Sequence, residues 1–113
     1  MEIKTEKKEE YAIIRLKGEL DANTAIETDQ CFQELFKEGS VNFMIDCKDL
    51  SYISSAGIGV FIAYLEDIKQ KGGSLSFFSL NESVFSVMNM LGIDELVEIY
   101  KDEETAKSNI VEG

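Results

Sequence analysis

The stretch Asp49-Leu50-Ser51-Tyr52-Ile53-Ser54-Ser55-Ala56-Gly57-Ile58-Gly59-Val60 decides how this chain is built. Before it, Val41, Phe43, Ile45 and Cys47 alternate with Asn42, Met44, Asp46 and Lys48, the period-two signature of a strand. After it, residues 55–71 are apolar on most sides, with Ala56, Ile58, Val60, Phe61, Ile62 and Leu65 among them. A helix of that kind packs on more than one side. The stretch is therefore a strand-to-helix junction, at which Ser54 or Ser55 can accept a hydrogen bond from a first-turn N–H. Gly57 and Gly59 add no side-chain cover, so a partner backbone or an anion can come close. The helix dipole and unpaired first-turn N–H groups favour negative charge there. Three readings fit these residues. In the first, the serines only cap and turn the chain while the glycines allow close helix–sheet packing. In the second, the helix end binds a nucleotide, although the Lys-Ser/Thr ending of a Walker A loop is absent. In the third, one serine accepts a phosphoryl group that the helix end holds without large rearrangement.

Working outward, residues 11–17 read as an earlier strand: Ala12, Ile14 and Leu16 point one way, Tyr11, Arg15 and Lys17 the other, with Ile13 out of pattern. A short strand precedes it through the polar Glu6–Glu10 turn, and Gly18 breaks the alternation. From Asp21 the period turns helical, placing Ala22, Ala25, Ile26, Phe32, Leu35 and Phe36 roughly on one face. Asp21 and Asn23 are candidate N-caps, Thr24 and Glu27 have capping-box spacing, and Gly39 supplies the stop. Beyond the central helix, the Gly72-Gly73 break leads into a strand over Leu75–Leu80. Asn81 caps a helix carrying Val84, Val87, Met88 and Leu91 and ending at Gly92, followed by a short strand at Leu96–Tyr100. Asp102 caps a weak terminal helix with little support beyond Ile110. Asp46 reads as a strand-end or solvent-facing carboxylate, Met88 as core, and Met90 as either core or interface.

No linker or repeat divides the chain, which reads as one α/β domain over residues 1–113. The expected sheet is mixed and mostly parallel, about five strands with an antiparallel first pair, packed by about four helices.

A chain of 113 residues, 44% hydrophobic, supports a single core. Its formal net charge of −11 is spread along both halves rather than gathered in a tail. Such a field repels phosphate backbones and anionic lipid, so neither nucleic acid nor a membrane surface is an expected partner, while a basic protein surface is. His is absent, which excludes Ser-His-Asp and Cys-His nucleophile systems and removes the commonest metal ligand. Composition thus disfavours most enzymes, and no metal or cofactor is expected. Cys31 and Cys47 form neither a CxxC pair nor a disulfide-dense pattern and read as reduced thiols. The charged stretch from Met1 through Glu10 is unlike a signal peptide, and the apolar run Ala56–Leu65 is too short to span a bilayer. A cytoplasmic location is expected.

Gly18-Glu19-Leu20-Asp21-Ala22-Asn23-Thr24-Ala25, followed some thirty residues on by Asp49 through Gly59, resembles the STAS domain, and more narrowly the bacterial anti-sigma factor antagonists. The resemblance extends over nearly the whole chain, including Lys71-Gly72-Gly73 and Met90-Leu91-Gly92-Ile93. It implies a protein-binding regulator rather than an enzyme. In that family a Ser at the start of the second helix is phosphorylated by an anti-sigma factor that is also a serine kinase of the histidine-kinase-like ATPase type. The unphosphorylated antagonist binds that factor and frees the sigma factor; the phosphorylated form lets go, and a PP2C-type phosphatase resets it. The family pattern is usually Asp-Ser-Ser/Thr-Gly, so matching backwards from Gly57 implies Ser55 as the acceptor, with Ser54 the alternative. Ser54 stands where typical members have Asp, and Ala56 where they have Ser or Thr. The partner surface so implied comprises Asp21, Asn23, Ser54, Ser55, Gly57 and Ile58. These departures leave two other readings open: a STAS regulator of a different signalling partner, and a small-molecule or nucleotide sensor.

Overall fold

The chain begins with two antiparallel strands, β1 (Glu2–Lys7) and β2 (Ala12–Leu20), paired from Glu2↔Lys17 to Lys7↔Ala12. Lys8 N–H donates to Tyr11 C=O at 2.8 Å and closes the expected polar turn between them. From β2 onward each strand is followed by a helix: α1 (Ala25–Lys37), β3 (Asn42–Ile53), α2 (Ser55–Gln70), β4 (Ser74–Phe78) and α3 (Glu82–Met90). A short 3₁₀ turn (Ile93–Glu95), β5 (Glu98–Tyr100) and α4 (Glu103–Val111) complete the domain. This computed structural model describes residues 1–111. The helical crossovers make β2–β3, β3–β4 and β4–β5 parallel, and the five strands lie in chain order, β1-β2-β3-β4-β5. The expected mixed sheet with one antiparallel pair is the observed one.

Crossovers of one hand that advance in one direction put their helices on one side of a sheet. Accordingly, Phe32 and Leu35 of α1, Ile58, Phe61, Leu65 and Ile68 of α2, and Val84 and Met88 of α3 share a core with Ala12, Ile14, Leu16, Phe43, Ile45 and Phe77. Phe61 packs edge-to-face on Phe77 at its centre (ring centroids 4.9 Å apart), and the half-buried Tyr64 stacks on Phe32 (4.8 Å) at its margin. Met88 takes the core role expected of it. Among the described residues, α4 covers the opposite face of the sheet, where Ala106 joins Ile13, Met44 and Phe78. Ile13, out of pattern in the sequence, is thus the start of a second small core. Asp102 caps α4 as expected, its Oδ1 accepting from Thr105 N–H at 2.9 Å.

Some expectations are corrected. Asp46 does not face solvent: it meets the Arg15 guanidinium at 2.8 Å, and that guanidinium also pairs with Glu6 and, at 2.9 Å, with Glu103 of α4. Helix α1 starts at Ala25 rather than Asp21 and buries Ala25, Thr28, Phe32 and Leu35, leaving Ile26 64% exposed about a quarter-turn away. Leu91 lies past the end of α3 and is half exposed instead of lining its buried face. Strand β3 runs to Ile53, well beyond Cys47, because Lys17, Gly18, Glu19 and Leu20 of β2 continue to pair with Asp49, Leu50, Tyr52 and Ile53. Strand β4 ends at Phe78, short of Leu80.

Candidate functional site

Parallel pairing brings the C-terminal ends of β2 and β3 level, Leu20 opposite Ile53, so the chain leaves the sheet twice at neighbouring points. Ser54 N–H donates to Leu20 C=O at 2.9 Å and fastens the two exits together. Ser54 is the N-cap of α2: its backbone is extended, its Oγ accepts from Gly57 N–H at 3.1 Å, and its carbonyl accepts from Ile58 N–H at 3.0 Å. Ser55 opens α2 and is exposed, as are Ala56 and Gly59 on the same rim. Of the two adjacent hydroxyls, Ser54 is half-buried and engaged in the cap, and Ser55 faces outward.

On the β2 side, Asp21 Oδ1 accepts from Asn23 N–H at 2.9 Å and Thr24 N–H at 3.1 Å. Those hydrogen bonds, that from Thr24 foremost, hold the Asp21 carboxyl below the ordinary carboxylate range and keep it ionised. Thr24 Oγ1 accepts in return from Asp21 N–H at 2.9 Å and donates to Glu19 C=O at 2.9 Å. The reciprocal cap expected between Thr24 and Glu27 is therefore made between Asp21 and Thr24, one turn earlier. Asn23 is exposed beside it. A third element reaches the same edge, where Asn81 caps α3 through Val84 N–H (2.7 Å) and donates to Leu50 C=O (3.1 Å).

Two residues of the expected contact surface lie elsewhere. Ile58 is 3% exposed and belongs to the core. Gly57 is buried against Leu20, where a Cβ would fall 2.6 Å from Leu20 Cγ and 2.9 Å from its carbonyl oxygen. Leu20 therefore fills the close approach that Gly57 was expected to give a partner or anion, whereas Gly59 opens onto free space. The rim comprises Asp21, Asn23, Ser54 and Ser55, joined by two apolar side chains that sequence reasoning passed over: Tyr52, 48% exposed at the end of β3, and Ile26 in the first turn of α1. A large aromatic among small polar residues at a strand end was the available signal for Tyr52. Among the described residues no group of His, Cys, Asp and Glu is arranged to hold a metal ion, and no helix is long and apolar enough to cross a membrane.

Comparison with protein families matches residues 2–106 to the STAS domain. The chain belongs to the STAS domain family. Among curated relatives of this STAS chain are the anti-sigma-B factor antagonist of Listeria monocytogenes serovar 1/2a, 28% identical over 109 residues covering 96% of this chain and 95% of that one, and the anti-sigma F factor antagonist of Paenibacillus polymyxa, 28% identical over 114 residues covering 97% and 95%. Among solved structures, the anti-sigma factor antagonist SpoIIAA in its unphosphorylated form superposes with a TM-score of 0.87 at 18% identity, covering 99% of this chain and 98% of that one. That likeness is one of fold. The STAS chain is a regulatory binding domain rather than an enzyme, and these relatives are named antagonists of anti-sigma factors.

Proposed function

We propose that this STAS domain is a phosphorylation-controlled antagonist. Its unphosphorylated form binds an anti-sigma factor that is also a serine kinase of the histidine-kinase-like ATPase type, and so frees a sigma factor. Phosphorylation of Ser55 ends the binding, and a PP2C-type phosphatase restores it. The observation that carries this reading is the exposed Ser55 hydroxyl at the start of α2, beside a Ser54 hydroxyl already engaged as the cap. The curated relatives, named antagonists of anti-sigma-B and anti-sigma F factors, support the partner class.

The energetics suit a switch. A phosphoserine brings roughly −1.5 to −2 charges at pH 7. On the free domain the α2 N-terminus offsets part of that charge, about 0.3–1 kcal/mol at an exposed position. In a docked interface the ionised Asp21 and the loss of water oppose it. A net penalty of about 3–4 kcal/mol weakens binding by a factor of a few hundred to a thousand. Because Leu20 occupies the space at Gly57, a nucleotide-sensing reading has less in its favour.

Incubation with an ATP-loaded anti-sigma kinase, followed by mass spectrometry of the peptide spanning Ser54 and Ser55, tests the proposal. Phosphate is expected on wild type and on Ser54→Ala, and none on Ser55→Ala. Ser55→Asp is expected to keep its fold and lose the partner. Incorporation into Ser55→Ala, or undiminished binding by Ser55→Asp, would overturn it.

A further inference from the structure

At the end of the sheet opposite Ser55, a groove runs between the C-terminal half of α2 and the segment entering β5. One stretch is lined by Ile62, Leu65, Glu66 and Lys69, and the next shares Leu65 and Lys69 and continues along Leu75, Leu96 and Val97. Its floor is apolar, and Leu96 is 47% exposed there. An exposed large apolar side chain that borders an apolar-floored groove marks an interaction site more often than one standing alone does.

The border of the groove says what kind of partner fits. Glu66, Asp94, Glu95 and Glu98 face a single cation, Lys69. A second copy of this chain brings the same acidic border and a net charge of −11, so pairing like with like is opposed. An amphipathic segment with basic flanks matches both the floor and the border, its apolar side chains in the groove and its Lys or Arg against the carboxylates.

We infer that this groove is a second docking surface, built for a basic amphipathic helix of a partner protein and separate from the Ser55 rim.

The test is a titration of the isotope-labelled full chain with a synthetic Leu/Lys amphipathic helix of about 18 residues, or five turns, followed by NMR. Expected are shifts concentrated on residues 62–75 and 94–98 and an affinity that falls as salt rises. Leu96→Lys and Glu95→Lys, each checked by circular dichroism to be folded, are expected to weaken binding about tenfold or more. Shifts that scatter over the surface or collect around Ser55 overturn the inference. So does equal binding of a Leu/Glu helix with the same apolar face. Movement of the groove resonances on concentrating the chain alone also overturns it, by assigning the face to self-association.

Discussion

Ser54 and Ser55 share a side-chain chemistry and differ only in where the backbone puts it. Ser54, extended and half-buried, spends its oxygen on Gly57 N–H, so its contribution is one of stability. Ser54→Ala is expected to cost about 1 kcal/mol in denaturant unfolding, and Ser54→Asp almost nothing, because Asp and Ser are comparable N-caps. Gly57 is constrained by volume rather than by backbone angle. Gly57→Ala places a methyl group within 3 Å of Leu20 Cγ and of a carbonyl oxygen that is already bonded to Ser54 N–H. A loss of about 1–3 kcal/mol is expected, with a similar unfolding slope against denaturant. That a serine of this pair caps the helix was legible in the sequence, since it follows from position at a helix start. The burial of Gly57 and Ile58 was not, because it depends on Leu20, which is distant along the chain and adjacent only once β2 and β3 have paired.

Helices α1 and α2 are tied at their surface by Tyr64, whose hydroxyl donates to Asp29 Oδ1 at 2.7 Å. Burial of the ring, reinforced by that bond to Asp29, pushes the Tyr64 hydroxyl up from 10 to about 12. A folded-state value above the unfolded one means that the contribution is complete below pH 10 and lost as pH rises through 12. The stability gap between wild type and Tyr64→Phe is therefore expected to narrow across that window in thermal melts and to stay constant below it. At the same scale, the order and type of all five strands and four helices could be read from periodicity and caps. What escaped had physical reasons. The register shifts between Arg15 and Lys17, and between Gly18 and Glu19, interrupt the alternation, so β3 seemed to stop at Cys47 although backbone pairing carries it on to Ile53. Ile13 stood out of pattern, and Met44 fell on the face of Asn42, Asp46 and Lys48, because the helix that covers both lies more than fifty residues further along. The 3₁₀ turn at Ile93–Glu95 is too short to leave a period.

The whole molecule carries its −11 charge over most of its surface, and the Arg15 cluster gathers three carboxylates around one guanidinium. Self-repulsion of this kind relaxes as salt screens it. Raising ionic strength from low salt to physiological is expected to stabilise the domain by about 1 kcal/mol, or about 5 °C in Tm; a flat or falling melting curve would show that local pairs outweigh the overall field. The arrangement of strands in chain order has a consequence for how the domain is made. Each new strand joins the edge left by the one before it, and none has to be inserted between two already in place. A chain emerging from the ribosome can therefore lay down its sheet by simple addition, hairpin first and then one crossover at a time. Only the side sealed by α4 stays open until that helix has been made, which makes Ile13, Met44 and Phe78 the core residues a nascent-chain chaperone would meet longest.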